Sequence, residues 1–202
     1  MISEKSDTIG PFFLVNASQR QLTIMNRICP QLENGVIEQH LVPLITQHSE
    51  ISLRALDWLV TNYSKKYNIV CITKNGTMFN IYHGYKTALS HFRRRNFDPF
   101  RRRQRITLSL NGSQYDTTVG QCNFVHWAYQ YGVLAYAVEH ANLIEKDMNM
   151  ASFTNKTERK NQLERGIPHR RRELSKAPTT KCSVYKVDSN VKFDTLAYEM
   201  ED

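Results

Sequence analysis

Ser52-Leu53-Arg54-Ala55-Leu56-Asp57-Trp58-Leu59-Val60-Thr61-Asn62-Tyr63 leads, five residues on, into Ile69-Val70-Cys71-Ile72-Thr73-Lys74-Asn75-Gly76-Thr77-Met78-Phe79-Asn80-Ile81-Tyr82. Between the two pieces the apolar period changes from helical to alternating, and that change decides the fold class. In the first, Leu53, Leu56, Leu59, Val60 and Tyr63 share one face, the spacing of an amphipathic helix. Ser52 suits the N-cap, because its hydroxyl accepts from a first-turn N–H that has no helical partner. Lys65 and Lys66 fall in the last turn, where cations suit the helix dipole, and Asn68 is the expected stop. The second piece is β-branched and apolar on both sides of Asn75-Gly76. That dipeptide accepts the positive φ of a type I′ turn, so a β-hairpin is predicted. A short helix is expected from 85 to 95, with Tyr85, Ala88, Leu89 and Phe92 inward.

Asp98-Pro99 ends that helix, because the residue before a proline avoids the helical region. Ile106-Thr107-Leu108-Ser109-Leu110 then alternates strictly, Asn111-Gly112 turns, and 113–117 returns as a second hairpin. Thr118 with Gln121 matches a capping box. The helix it opens carries Phe124, Trp127, Ala128 and Tyr131. Gly132 breaks it, and a further helix is expected from 133 to about 149. Toward the N-terminus, 36–47 suits a helix that Pro43 must kink or restart, and 21–25 alternates weakly as a short strand would. Toward the C-terminus, 184–187 and 191–193 form a last hairpin or add to a sheet edge. The expected architecture is α+β, helices packed on small antiparallel β-hairpin sheets, with a basic flexible arm near the C-terminus. The organisation reads as an irregular segment 1–35, an α+β core 36–153, a basic linker or arm 154–182, and short strands with an acidic tail 183–202.

The 202 residues are 41% apolar and 23% charged, which excludes a uniformly disordered chain and a membrane-embedded one. No run of about 18 apolar residues exists, so no membrane span is expected. Residues 11–15 are too brief an apolar stretch for a signal-peptide core. Cys29, Cys71, Cys122 and Cys182 are widely scattered. They lack the paired spacing of zinc modules and read as small buried apolar residues.

The formal charge is +8, and its distribution is informative. Arg93, Arg94, Arg95, Arg101, Arg102, Arg103 and Arg105 are opposed only by Asp98, a local +6. Residues 156–176 carry +5, including Arg170, Arg171 and Arg172, so the rest of the chain is net −3. Localised basicity is the footprint of a polyanion site. Guanidinium binds phosphate through two parallel hydrogen bonds and stacks on bases, which ammonium does not do. Phe97 and Phe100, interleaved with the first cluster, are candidate stacking platforms. The bland alternative places these rings in the core beneath a solvated charged turn. Arg170–172, with Lys160 upstream, read as a flexible phosphate-binding arm or a nuclear-import patch.

Signatures of chemistry are absent. There is no Gly-rich phosphate loop, no Gly-x-Ser-x-Gly and no His-Glu-x-x-His. No catalytic residue, metal ligand or cofactor is therefore assigned, and an enzyme with a diffuse site stays as a third reading. His126, beside Trp127, is expected to be a packed histidine.

Four stretches carry a resemblance: residues 51–66, Phe97-Asp98-Pro99-Phe100-Arg101-Arg102-Arg103-Gln104-Arg105-Ile106, residues 117–124 with Trp127, and 170–176. Together they resemble an uncharacterised family of small basic proteins of nucleocytoplasmic large DNA viruses, over roughly 36–195. The resemblance implies a viral source and no residue roles. With the charge map, the expectation is a non-enzymatic viral protein that binds nucleic acid, DNA or RNA, or associates with the genome through its arginine cluster. The alternative is a minor capsid or other virion structural protein that meets an acidic capsid surface. Either places it in the host cytoplasm at the viral factory or in the virion, with the nucleus open.

Overall fold

The computed structural model describes residues 7–9, 12–28, 35–72, 76–101, 103–165 and 183–186. In chain order the elements are β1 (Asp7–Ile9), β2 (Phe12–Val15), α1 (Gln19–Ile28), α2 (Val42–Ile45), α3 (Leu53–Trp58), α4 (Ser64–Tyr67), β3 (Ile69–Ile72), β4 (Met78–Asn80), α5 (Ile81–Phe92), β5 (Arg105–Leu110), β6 (Ser113–Thr118), α6 (Val119–Gln130), α7 (Val133–Glu139), α8 (Ala141–Glu164) and β7 (Ser183–Lys186). The class is α+β, as expected. The chain divides into two units, 1–49 with 87–130, and 50–86 with 131–202.

The first unit holds an antiparallel sheet in the order β1-β2-β5-β6. The predicted hairpin is there: Leu108 faces Tyr115, and Asn111 and Gly112 turn with φ of 51° and 80°. Ile106, Leu108 and Leu110 point into the core, so the alternation read from sequence is real. Burying each such side chain stabilises the fold by about 1.5–3 kcal/mol. β2 joins β5 with Leu14 opposite Leu108, a strand that the short apolar run did not announce. α6 starts where expected, with the Gln121 N–H donating to Thr118 Oγ1 at 3.1 Å. The Gln121 side chain does not close the box on the Thr118 backbone; its Oε1 accepts from Thr117 Oγ1 instead.

One expectation for this unit is overturned. Residues 21–25 are not a strand but the middle of α1. Ser18 caps it in a complete box: the Ser18 N–H donates to Gln21 Oε1 at 2.8 Å, and the Gln21 N–H reaches Ser18 Oγ at 3.4 Å. Leu22, Met25 and Ile28 are then buried at helical spacing, and that burial outweighs the weak alternation. The helical run before α2 is wide, with the Val42 N–H donating to the Ile37 carbonyl. Pro43 offers no N–H to Gln39 and its ring crowds that carbonyl, so a widened turn upstream relieves both.

In the second unit, residues 53–67 form one helical run with a wide turn at Leu59–Tyr63. Ser52 Oγ accepts from the Ala55 N–H at 3.1 Å, and Asn68 stops the run in the left-handed region at φ 49°. β3 is central in the order β4-β3-β7, antiparallel to β4 and parallel to β7. The C-terminal strand thus adds to a sheet edge; its expected partner 191–193 lies outside the described residues.

α5 begins at Ile81, four residues early, because Asn80 Oδ1 accepts from the His83 N–H at 3.0 Å and caps it. The Phe79 ring lies over Gly84, where a Cβ would stand 2.1 Å from Cζ, and stacks on Tyr131. α8 buries Ile144 and Met148. Asp147 on it accepts from Trp58 Nε1 at 2.9 Å, from Tyr67 Oη at 3.2 Å and from Lys66 Nζ. The helix expected to end near 149 breaks at His140 and then continues to Glu164. Residues 154–164 of the expected arm are therefore helical. Residues 166–182 lie outside the described set.

Candidate nucleic-acid interface

Seven arginines crowd into residues 93–105, and the first unit gives the backbone of 93–101 a defined course. Arg93 leaves α5 at φ 61°, ψ 134°, a region costly for a residue with a Cβ. A single tight turn follows at Arg94–Asn96, with the Asn96 N–H donating to the Arg93 carbonyl at 2.9 Å. Asp98 then folds an Asx turn, its Oδ1 accepting from the Phe100 N–H at 2.9 Å.

This turn is anchored from below. Phe97 is fully buried, stacked on Phe92 and edge-on to Phe124 and Trp127 with ring centres 5.2–5.7 Å apart. Its assignment as a stacking platform is corrected: a ring closed in by three others cannot receive a base. Phe100, 47% exposed, keeps that possibility. Asn123 Nδ2 on α6 donates to the Asn96 carbonyl at 2.7 Å, while its buried Oδ1 has no partner. Gly120 lets the Asp98 carbonyl approach; a Cβ there would stand 2.6 Å from that oxygen.

Above this anchor Arg93, Arg94, Arg95, Arg103 and Arg105 are exposed and Arg101 is half-buried. Arg102, Arg170, Arg171 and Arg172 lie outside the described residues. Arg105 stands 4.0 Å from Asp116, itself bound by Thr107 at 2.9 Å. Among the described residues no carboxylate comes within 4.0 Å of Arg93, Arg94, Arg95, Arg101 or Arg103.

Arg20, which the sequence reading did not single out, joins them. It projects from the first turn of α1, and its charge is the main cause that lowers the Arg95 pKa, followed by desolvation and the charges of Arg93 and Arg101. Arg20, Arg95, Arg101 and Arg103 line one concavity of about 90 Å³ with Ser18, Gln21, Asn96, Gln104 and the Thr118–Gly120 turn. Gln21 Nε2 donates to the Gln104 carbonyl at 2.8 Å and ties α1 to the far end of the arginine segment. The Ser18–Gln21 box was a visible signal that Arg20 opens a helix. Nothing in the sequence announced that this helix start meets Arg95.

Burial lowers the pKa of His126 and His40 and pushes the Cys71 thiol up to about 12. Among the described residues no three His, Cys, Asp or Glu side chains group as metal ligands, and no helix is long and apolar enough to cross a membrane.

Residues 32–195, most of the chain, match a family of unknown function, DUF7197. The chain belongs to this family. An uncharacterized protein of Acanthamoeba polyphaga mimivirus is 35% identical to it over 130 residues, 60% of this chain and 50% of the relative. The chain thus spans about half the length of that curated relative. The relative is a giant-virus protein, as the resemblance implied. Arg20 lies upstream of the family match, whereas Arg95, Arg101 and Arg103 lie within it. No solved structure matches the chain.

Proposed function

We propose that this DUF7197 protein is a non-enzymatic viral protein that binds nucleic acid, or associates with the viral genome, through Arg20 and the arginines of residues 93–105. The observation that carries the reading is a group of arginines on an anchored backbone, most of them exposed, with no described carboxylate within 4.0 Å save Asp116 beside Arg105. Like charges held together in this way repel one another until an anion offsets them. Phosphates do so through paired N–H···O bonds, and Phe100 adds a ring on which an unpaired base can stack. The giant-virus relative supports a role at a viral factory or in the virion.

The test is binding to duplex DNA, single-stranded DNA and RNA across salt, with heparin as a generic polyanion. Counterion release gives a log–log slope of about −0.9 per phosphate on duplex and about −0.7 on single strands. Replacing Arg101, Arg102 and Arg103 by Ala flattens the slope by about 2–3 units if each reaches a phosphate. An unchanged slope removes the cluster from the interface.

A second reading has its own observation. Leu143, Met150 and Phe153 on α8 are 55–72% exposed and recur at helical spacing along one side. An apolar stripe on a charged helix is what a virion structural protein would offer to a capsid partner. It gains if nucleic-acid binding is absent and Met150→Glu with Phe153→Glu abolishes incorporation into particles.

A further inference from the structure

We infer that the concavity lined by Arg20, Arg95, Arg101 and Arg103 is a seat for one dianionic phosphate group, a phosphomonoester such as the 5′ end of a nucleic-acid strand. The inference rests on the nucleic-acid reading above and adds which phosphate is chosen. Four guanidiniums on one small hollow are far more positive charge than a single phosphodiester offsets. A monoester carries close to two negative charges at neutral pH and three terminal oxygens. It can satisfy more than one guanidinium fork at once, where a diester has two free oxygens and one charge.

The shape points the same way. The hollow is small, about 90 Å³. An internal diester must leave such a hollow in two directions, whereas a terminal phosphate leaves by a single ester link.

The frame is fixed before any ligand arrives. Gln21 is committed to Ser18 and to the Gln104 carbonyl, and Thr118 Oγ1 to the Gln121 N–H. These bonds hold the backbone that carries Arg20 and Arg103. The starts of α1 and α6 both border the hollow. A helix start is the positive end of the helix and disfavours cations. Four arginines gathered at two such starts run against local electrostatics unless an anion sits among them. The lowered pKa of Arg95 records the same mutual repulsion.

The experiment compares full-length protein binding to one oligonucleotide with a 5′-phosphate or a 5′-hydroxyl, at fixed ionic strength. The 5′-phosphate is expected to bind about tenfold tighter, the scale of added charge-assisted hydrogen bonds. The advantage shrinks below about pH 6, as the dianionic monoester takes up one proton and becomes a monoanion. Arg20→Ala, at an exposed position, removes the preference; it also weakens binding of both strands and flattens the salt slope by about one unit, the share of one phosphate contact. Arg20→Lys restores only part of it, because ammonium lacks the fork. Equal binding of both ends with a steep salt slope overturns the seat and leaves the nucleic-acid reading standing.

If neither strand binds, the broader reading fails. The seat is then judged by the melting shift in a nucleoside 5′-monophosphate or inorganic phosphate against chloride at equal ionic strength. A rise that Arg20→Ala abolishes keeps the seat and assigns it to a small phosphate ester. No rise overturns the seat as well.

Discussion

His126 shows how one side chain sets a response of the fold. It is 7% exposed on α6, and burial holds its pKa below the ordinary histidine value. His40, half-buried with its ring 5.0 Å from that of Tyr129, is shifted the same way by burial. In the unfolded chain each titrates near 6.5. Above that value both states are neutral and their contribution is complete. As pH falls below about 6.5 the unfolded chain takes up protons that the folded one refuses, so stability is lost toward acid. The melting temperature should be flat from pH 8 to 7 and decline from pH 6.5 to 5. His126→Gln should decline less steeply over the same window. An identical acid slope would assign the effect to other groups.

Among the elements, α6 depends on its first turn. Thr118→Ala removes the hydroxyl that accepts from the Gln121 N–H and should cost about 1 kcal/mol, read from denaturant unfolding. A midpoint unchanged within error would place the helix start elsewhere. This cap was legible in sequence, as were Ser52, the Asn111-Gly112 hairpin and the antiparallel pairing of β3 with β4, because caps and turns are written in neighbouring residues; the Asn75 turn lies outside the described residues. α1 was misread because two local signals compete: alternation in 21–25 and the Ser18–Gln21 box. What arbitrates is burial of Met25 and Ile28, a tertiary fact. The start of α5 was missed for a lesser reason, since Asn80 is at once the last residue of β4 and the cap of the helix. Phe97 and Phe100 look alike among their arginines, and only packing on Phe124 and Trp127 separates core ring from exposed ring. Pairing of β3 with β7 and of Arg20 with Arg95 joins residues far apart in sequence, where local spacing carries no information.

At the scale of the whole molecule, each unit is made of two separated lengths of chain, joined at 49/50, 86/87 and 130/131. The middle joint lies inside α5. A continuous helix resists breaking between its turns, so the two units should unfold in one transition. Each has a tryptophan, Trp127 in the first and Trp58 in the second. Fluorescence of Trp58→Phe and of Trp127→Phe should each coincide with that variant's own far-ultraviolet circular dichroism. Separated midpoints would show that the units unfold independently.

The interleaving also bears on inheritance. A gene segment that encodes one contiguous unit can be copied, fused or exchanged by two crossovers. Here any stretch long enough to carry all of one unit also carries part of the other. A truncation after Gln130 keeps both lengths of the first unit, yet strands β3 without β7 and Trp58 without Asp147. Recombination can therefore pass on the whole first unit, Arg20 together with the arginine turn, only by passing 50–86 with it. The two units travel as one heritable block.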